Sequence, residues 1–149
     1  MSMKNILNNI EVIKLKKHLN EQYDDDTYFN FAITDVKFNA NERIPKLHIK
    51  LNYYNDMERS IVFIFNKFLS YTPIGESYLF DSKENLFEGF SIISISKKSL
   101  IKDFMFENYQ FGFILSLTQE EIDQYFIYRI MGQNFFIDIL TNQLPEIIF

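Results

Sequence analysis

The chain has 149 residues, of which 47% are hydrophobic and 23% charged, and this composition is typical of a single globular domain spanning residues 1–149. The formal net charge of -5 argues against nucleic acid as a direct partner, because binding to phosphates requires a basic surface; it permits a basic protein partner. The chain has no cysteine, which excludes disulfides, thiolate catalysis and cysteine-based zinc sites.

The N-terminal segment does not resemble a secretion signal. Lys4 precedes an apolar stretch, but Asn8, Asn9 and Glu11 interrupt it. No part of the sequence approaches the uninterrupted apolar length of a membrane span. We therefore expect a protein of the cytoplasm that does not insert into membranes.

The first predicted element is a helix over residues 4–20. Ile6, Ile10 and Ile13 recur at helical spacing and predict its apolar face, which Val12, Leu15 and Leu19 widen. Three consecutive aspartates at 24–26 then predict a solvated turn. A calcium loop starting at residue 24 would need a glycine at its sixth position, where Phe29 stands instead.

Three strands are predicted next, at residues 28–38, 47–53 and 61–65. The second has the clearest period-two alternation, and the third is continuously apolar, which is typical of a strand covered on both faces. Turn-forming residues connect the three runs, so the pattern favours an antiparallel meander. Residues 71–77 are predicted to form a loop.

The second half is predicted to contain strands at 87–95 and 110–117, with a short helix or an irregular crossing at 97–107. Thr118 and Glu121 match a capping box, which predicts a helix from there to Met131 with Gly132 as its C-terminal cap. A last helical turn or two is expected at 135–140. The predicted fold class is α+β, with an N-terminal helix, a mainly antiparallel sheet of about five strands, and C-terminal helices.

The motifs of common catalytic sites are missing from this sequence. The four glycines are too far apart for a phosphate-binding loop. His18 falls on the polar side of the first predicted helix, and His48 falls on the solvent-facing side of a predicted strand. Neither has a convergent partner in the sequence, so a hydrogen-bonded or surface histidine is the preferred interpretation of each. We expect no enzyme and no cofactor.

Acidic residues are concentrated in the C-terminal part, where Arg129 is the only base from residue 103 onward. This asymmetry fits either a solvated face that keeps the protein soluble or a surface that binds a basic partner. Tyrosines nearby would supply anchors for such an interface, and Tyr125 and Tyr128 would share a face of the predicted helix. The predicted partner-binding residues are Asp103, Glu107, Tyr109, Glu120, Glu121, Asp123, Tyr125 and Tyr128.

Residues 73–142 resemble the bacterial suppressor-of-fused-like domain family. The likeness rests on a strand that ends in an apolar–polar–Leu–Thr step followed by two acids, then on a glycine and a final Leu-rich turn. Upstream, it rests on the segment where the family enters a strand after a proline-containing loop. These are Phe113-Ile114-Leu115-Ser116-Leu117-Thr118-Gln119-Glu120-Glu121, Gly132, Phe136-Ile137-Asp138-Ile139-Leu140 and Leu86-Phe87-Glu88-Gly89-Phe90. The family pattern places an amphipathic helix between the two acids and the glycine. Many bacterial members look like immunity proteins, so the resemblance implies toxin neutralisation.

The leading functional hypothesis is therefore an immunity protein that binds a basic toxin domain, such as a nuclease, and occludes its active site. A monomer is favoured. The alternative is an acidic type III secretion chaperone that binds an effector segment as a homodimer. An enzyme, the third class, would need a site assembled from His18 or His48 with distant acids.

Overall fold

The computed structural model describes residues 3–23, 27–39, 43–54, 56–75, 87–96 and 118–149. The predicted strand at 110–117, the crossing at 97–107 and the acidic turn at 24–26 lie outside these residues. Three helices, one 3-10 turn and nine strands are present in the described part. They are α1 (Met3–Leu7), α2 (Ile10–Gln22), the 3-10 turn Tyr28–Asn30, β1 (Phe31–Phe38), β2 (Leu47–Tyr53), β3 (Asp56–Phe65), β4 (Ser70–Ile74), β5 (Phe87–Phe90), β6 (Ile93–Ser96), α3 (Gln119–Asp123), β7 (Phe126–Met131), β8 (Phe136–Thr141) and β9 (Glu146–Ile148).

The strands form two antiparallel sheets. The first has the order β1-β2-β3-β9, and the second has the order β4-β8-β7-β6-β5. The α+β class and the antiparallel meander of β1, β2 and β3 are confirmed. The prediction of about five strands is wrong, because the described residues alone contain nine.

The N-terminal helix is broken into α1 and α2 at Asn9. The side chain of this residue accepts a hydrogen bond from the Glu11 backbone N–H at 2.9 Å, which caps α2. The buried face of α2 consists of Val12, Leu15 and Leu19. Ile10 and Ile13 are exposed, so their predicted place on the apolar face is wrong. An α-helix buries only one stripe here, and the spacing of residues 12, 15 and 19 defines it.

The first sheet follows the period-two pattern. Leu47, Ile49 and Leu51 are buried on one face of β2, while His48 and Lys50 lie half-buried on the other. In β3 the residues at 61–65 form a strand as predicted, with one face buried and the other only half-buried.

The C-terminal region differs most from the prediction. The helix that begins after Thr118 ends at Asp123, and the next residues form β7 and β8, so the predicted helices to Met131 and at 135–140 are wrong. Nearly every residue of these two strands is buried, which gives an apolar run without a clear period. Pairing between β7 and β8 decides the conformation, because it satisfies their backbone groups.

β4 occupies most of the segment that was predicted to be a loop, and Pro73 lies within it, opposite Ile137. Proline has no backbone N–H to donate to a neighbouring strand, so within sheets it is found mainly on edge strands. β4 is an edge strand of its sheet. The edge position therefore explains why a proline-containing segment is a strand here.

The core is one cluster to which both sheets and the helices contribute. The ring of Tyr128 in β7 lies 5.4 Å from that of Phe65 and 6.1 Å from that of Phe63, both in β3, which places it between the sheets. α1 contacts β6 in one sheet and α2 contacts β9 in the other. None of the described helices is both long and apolar enough to cross a membrane.

The turn between β7 and β8 clamps the free edge of β1. The Asn134 side chain accepts a hydrogen bond from the Ile33 N–H at 3.0 Å and donates one to the Ile33 carbonyl at 2.8 Å. Next to it, the Gln133 backbone N–H donates to the Phe31 carbonyl at 2.7 Å. A Cβ on Gly132 would lie 2.9 Å from Asn134 Oδ1, so glycine permits this close approach and is not the predicted helix cap.

Replacing Asn134 with alanine should destabilise the fold by about 1–3 kcal/mol, because it leaves two buried backbone groups of Ile33 without partners. Urea denaturation measures this change. Gln133→Ala is the matched control: its contribution comes from the backbone, so its effect should stay within about 0.5 kcal/mol. Equal effects of the two substitutions would show that the Asn134 side chain does not connect the sheets.

Candidate protein-binding surface

The helix α3 presents the described acids of the predicted surface, and a capping box holds its first turn. The Thr118 hydroxyl accepts a hydrogen bond from the Glu121 N–H at 3.1 Å, and Glu121 Oε1 accepts one from the Thr118 N–H at 3.1 Å. The predicted capping box is thus confirmed. These bonds satisfy donors that a helix terminus leaves unpaired, so the turn has a defined conformation.

Three carboxylates on α3 point to solvent. Glu120, Glu121 and Asp123 are all exposed. Asp123 accepts a hydrogen bond from the Gln119 side chain at 2.9 Å, and Glu121 serves the cap. None of the ion pairs found among the described residues includes any of the three. Their negative charges are therefore not neutralised by a lysine or arginine in that part of the chain.

Arg129 is the only base in residues 118–149, and its side chain is engaged within the second sheet. It lies directly opposite Asp138 in the β7–β8 ladder. Nε contacts Oδ1 at 2.7 Å and Nη2 contacts Oδ2 at 3.0 Å, while the side chains are only 14% and 4% exposed. Burial raises the pKa of the Asp138 carboxyl above its ordinary value, and the hydrogen bonds and charge of Arg129 oppose that shift.

The Arg129 guanidinium also stacks on an aromatic ring. Its central carbon lies 3.7 Å from the centre of the Phe87 ring in β5 and 5.8 Å from that of Phe136 in β8. These contacts and the bidentate pair fix the guanidinium within the sheet. The one arginine of residues 118–149 is therefore engaged within the sheet and not with the acids of α3.

The predicted tyrosine anchors lie in different environments. Tyr125 is half-buried between α3 and β7. Burial raises the pKa of its hydroxyl, and the negative charge of Glu121 raises it further. Tyr128 is fully buried, and burial raises its pKa strongly. Its predicted exposure, and the helical face that it was to share with Tyr125, are wrong, because residues 126–131 form a strand. Asp103, Glu107 and Tyr109 lie outside the described residues.

The two histidines lie on different elements, His18 on α2 and His48 on β2. The His18 ring stacks on Phe149 at 4.3 Å and meets the edge of Tyr23 at 5.9 Å. Burial lowers the His18 pKa, and Glu21 opposes this. His48 pairs across the first sheet with Lys37 and Ile64. Within the described ranges no three His, Asp or Glu side chains are grouped as metal ligands would be.

A cavity of about 540 Å³ lies between α2 and β5. Lys16 stands over the Phe90 ring there at 5.3 Å, and Lys17 pairs with Glu21 at 3.9 Å. Glu88 is a further lining residue. Because charges of both signs surround the cavity, it does not select clearly for an anion or a cation.

Sequence reasoning missed a second exposed surface, at the turn between β2 and β3. Tyr54 and Met57 are exposed there, and Phe29 is exposed in the adjacent 3-10 turn. The available signal was the end of the period-two pattern at Tyr53, followed by Asn55 and Asp56, which are turn formers. That signal predicted a turn but not which side chains the turn would expose.

Comparison with family models, with curated proteins and with solved structures gave no match. The amphipathic helix that the suppressor-of-fused-like pattern expects after Glu120 and Glu121 ends at Asp123 in this structure. Any functional assignment therefore depends on the surface of this chain itself.

Substituting leucine for Asp138 should destabilise the fold by about 3–5 kcal/mol, because Arg129 would keep a buried charge without its partner. The double variant Arg129→Leu with Asp138→Leu should recover most of that loss, since it removes both charges. Thermal and urea unfolding of the two variants test this. A double variant as unstable as the single one would show that the ion pair is not the source of the effect.

Proposed function

We propose that this protein binds another protein, and specifically that it is a bacterial immunity protein that neutralises a basic toxin domain by occluding its active site. The observation that supports this most directly is that Glu120, Glu121 and Asp123 are exposed on the capped helix α3 and form no ion pair with the described residues. No catalytic step and no cofactor is part of the proposal.

The charge balance of the C-terminal residues supports a basic partner. Residues 118–149 contain five acids and one base. Asp138 pairs with that base, which leaves four acids without a cationic partner in this segment. Surfaces of one charge sign accelerate encounter with partners of the opposite sign, and the acceleration falls as salt screens the charges.

The resemblance of residues 73–142 to the suppressor-of-fused-like family, many of whose bacterial members look like immunity proteins, suggested this proposal, but no family model matches the chain, so its support comes from the surface. The proposal places the protein in the cytoplasm as a monomer and excludes nucleic acid from its partners. A secreted toxin domain encoded beside this gene is the expected partner.

The alternative function, a type III secretion chaperone, is favoured by one feature. β1 is an edge strand, and only its first half is covered by the Asn134 clamp. Val36 and Phe38, in its second half, are partly exposed. An extended effector segment can add to such an edge as a further strand. This function requires a homodimer.

Light scattering on the purified protein, alone and mixed with the domain encoded immediately upstream, separates these functions. The immunity proposal predicts a monomer that forms a one-to-one complex. A stable homodimer that does not bind the upstream-encoded domain would support the chaperone function instead.

Reversing the charges of Glu120 and Asp123 to lysine should slow association with the toxin domain about tenfold at low salt and flatten its salt dependence. Glu121 is left in place because it caps α3. Stopped-flow kinetics at several salt concentrations measures the effect. The control, Glu11→Lys with Glu88→Lys, makes the same change in net charge on α2 and β5; equal slowing by the control would refute a specific role for α3.

A further inference from the structure

We infer that the exposed side chains of Phe29, Tyr54 and Met57 form the anchoring site for a basic protein partner. This inference rests on the proposed function and identifies the part of the surface that holds the bound partner. These side chains are 57%, 62% and 69% exposed. Large exposed aromatic and methionine side chains are the residues that protein interfaces enrich.

The three side chains belong to two turns at the same end of the first sheet. Phe31 and Tyr53 pair where β1 begins and β2 ends, which brings the 3-10 turn beside the β2–β3 turn. The Tyr54 N–H donates to the Asn30 carbonyl at 3.0 Å and joins the two turns. The exposed residues therefore lie at one end of the first sheet, on two turns that a backbone hydrogen bond joins.

The surface is supported from below by packed aromatic rings. The Tyr54 ring meets the edge of Tyr53 at 4.3 Å, and Tyr53 meets Tyr23 at 4.7 Å. The Arg59 guanidinium lies 5.4 Å from the rings of both Tyr23 and Tyr53. Anchors held in place before binding lose less conformational entropy when the partner arrives.

Phe29 is supported in the same way from the other turn. Its ring stacks on Tyr28 at 4.2 Å, and Tyr28 meets the edge of Phe136 in β8 at 5.2 Å. Both exposed rings thus rest on rings that contact the sheets. This arrangement resembles a preformed anchor more than a mobile loop tip.

The backbone at Tyr54 provides an independent indication. Its φ of 46° lies in the left-handed region, which glycine and asparagine occupy at lower cost than an aromatic residue. A large side chain at a strained and exposed position gains little from burial. Strain of this kind is found preferentially where a side chain has a binding role.

The charges around the surface favour a basic partner, because its two exposed carboxylates outnumber the one cation, Arg59, which is exposed and lies over the rings of Tyr23 and Tyr53. Asp56 and Glu58 are exposed on either side of Met57, and Asp56 Oδ1 accepts a hydrogen bond from the Glu58 N–H at 2.9 Å. Neither carboxylate belongs to an ion pair among the residues that the structure describes. Lysines and arginines of a partner could pair with these carboxylates and lie over the exposed rings. Nucleic acid would be repelled by the same carboxylates.

The test is Tyr54→Gly, measured by surface plasmon resonance against the toxin domain encoded immediately upstream. Glycine suits the backbone at this position, so the melting temperature should stay the same or rise. We expect the dissociation rate to increase about tenfold or more, as for the loss of an interface anchor. Phe29→Ala, which leaves the strained residue untouched, should give an increase of similar size.

Ile10→Ala is the matched control, because Ile10 is 63% exposed but lies on α2. Its dissociation rate should equal that of the unmodified protein. A complex that forms normally and dissociates at an unchanged rate in both Tyr54→Gly and Phe29→Ala would overturn this inference and leave the proposed function standing. If the unmodified protein forms no complex with the toxin domain, the proposed function and this inference both fail.

Discussion

The bidentate pair between Arg129 and Asp138 is the interaction on which the second sheet depends. It joins the neighbouring strands β7 and β8 and places the guanidinium against Phe87 in β5. A buried charge pair is tolerated only when each charge finds its partner in good geometry. The pair also holds the one arginine of residues 118–149 within the sheet, and the acids on α3 form no ion pair with the residues that the structure describes.

The remainder of the fold follows from enclosing one apolar cluster between two sheets. Tyr128 packs against Phe63 and Phe65 across the interface, and the Asn134 clamp links the β7–β8 turn to β1. Within the first sheet, the pairing of Phe31 with Tyr53 brings the β2–β3 turn beside the 3-10 turn. Aromatic residues are exposed at that end because they lie just beyond the ends of the strands.

The N-terminal half was predictable because its signals are local. Alternation along β2 and turn formers between the strands were sufficient for the meander of β1, β2 and β3. The break of the first helix was not predicted, although Asn9 is a preferred capping residue. The burial of Val12 in place of Ile10 depends on which side of α2 meets the sheets, and helical spacing alone does not determine this.

The C-terminal half was predicted less well because its structure depends on distant pairing. A capping box marks where a helix begins but not where it ends, so α3 was extended through β7 in error. Runs that are buried on both faces have no period that separates a strand from a helix. The pairing of Arg129 with Asp138 becomes visible only when the two strands are aligned. For the predicted surface, the acids of α3 lie where a partner could reach them and Tyr128 does not.

In the proposed function, acids on α3 promote encounter with a basic toxin domain, and aromatic residues at the turn end hold the bound partner, so that the toxin is neutralised. The most direct measurement is a titration of the toxic activity of the upstream-encoded domain with the purified protein. The proposed function predicts that activity falls linearly and is abolished at one equivalent. Undiminished activity at a large excess of this protein would contradict it.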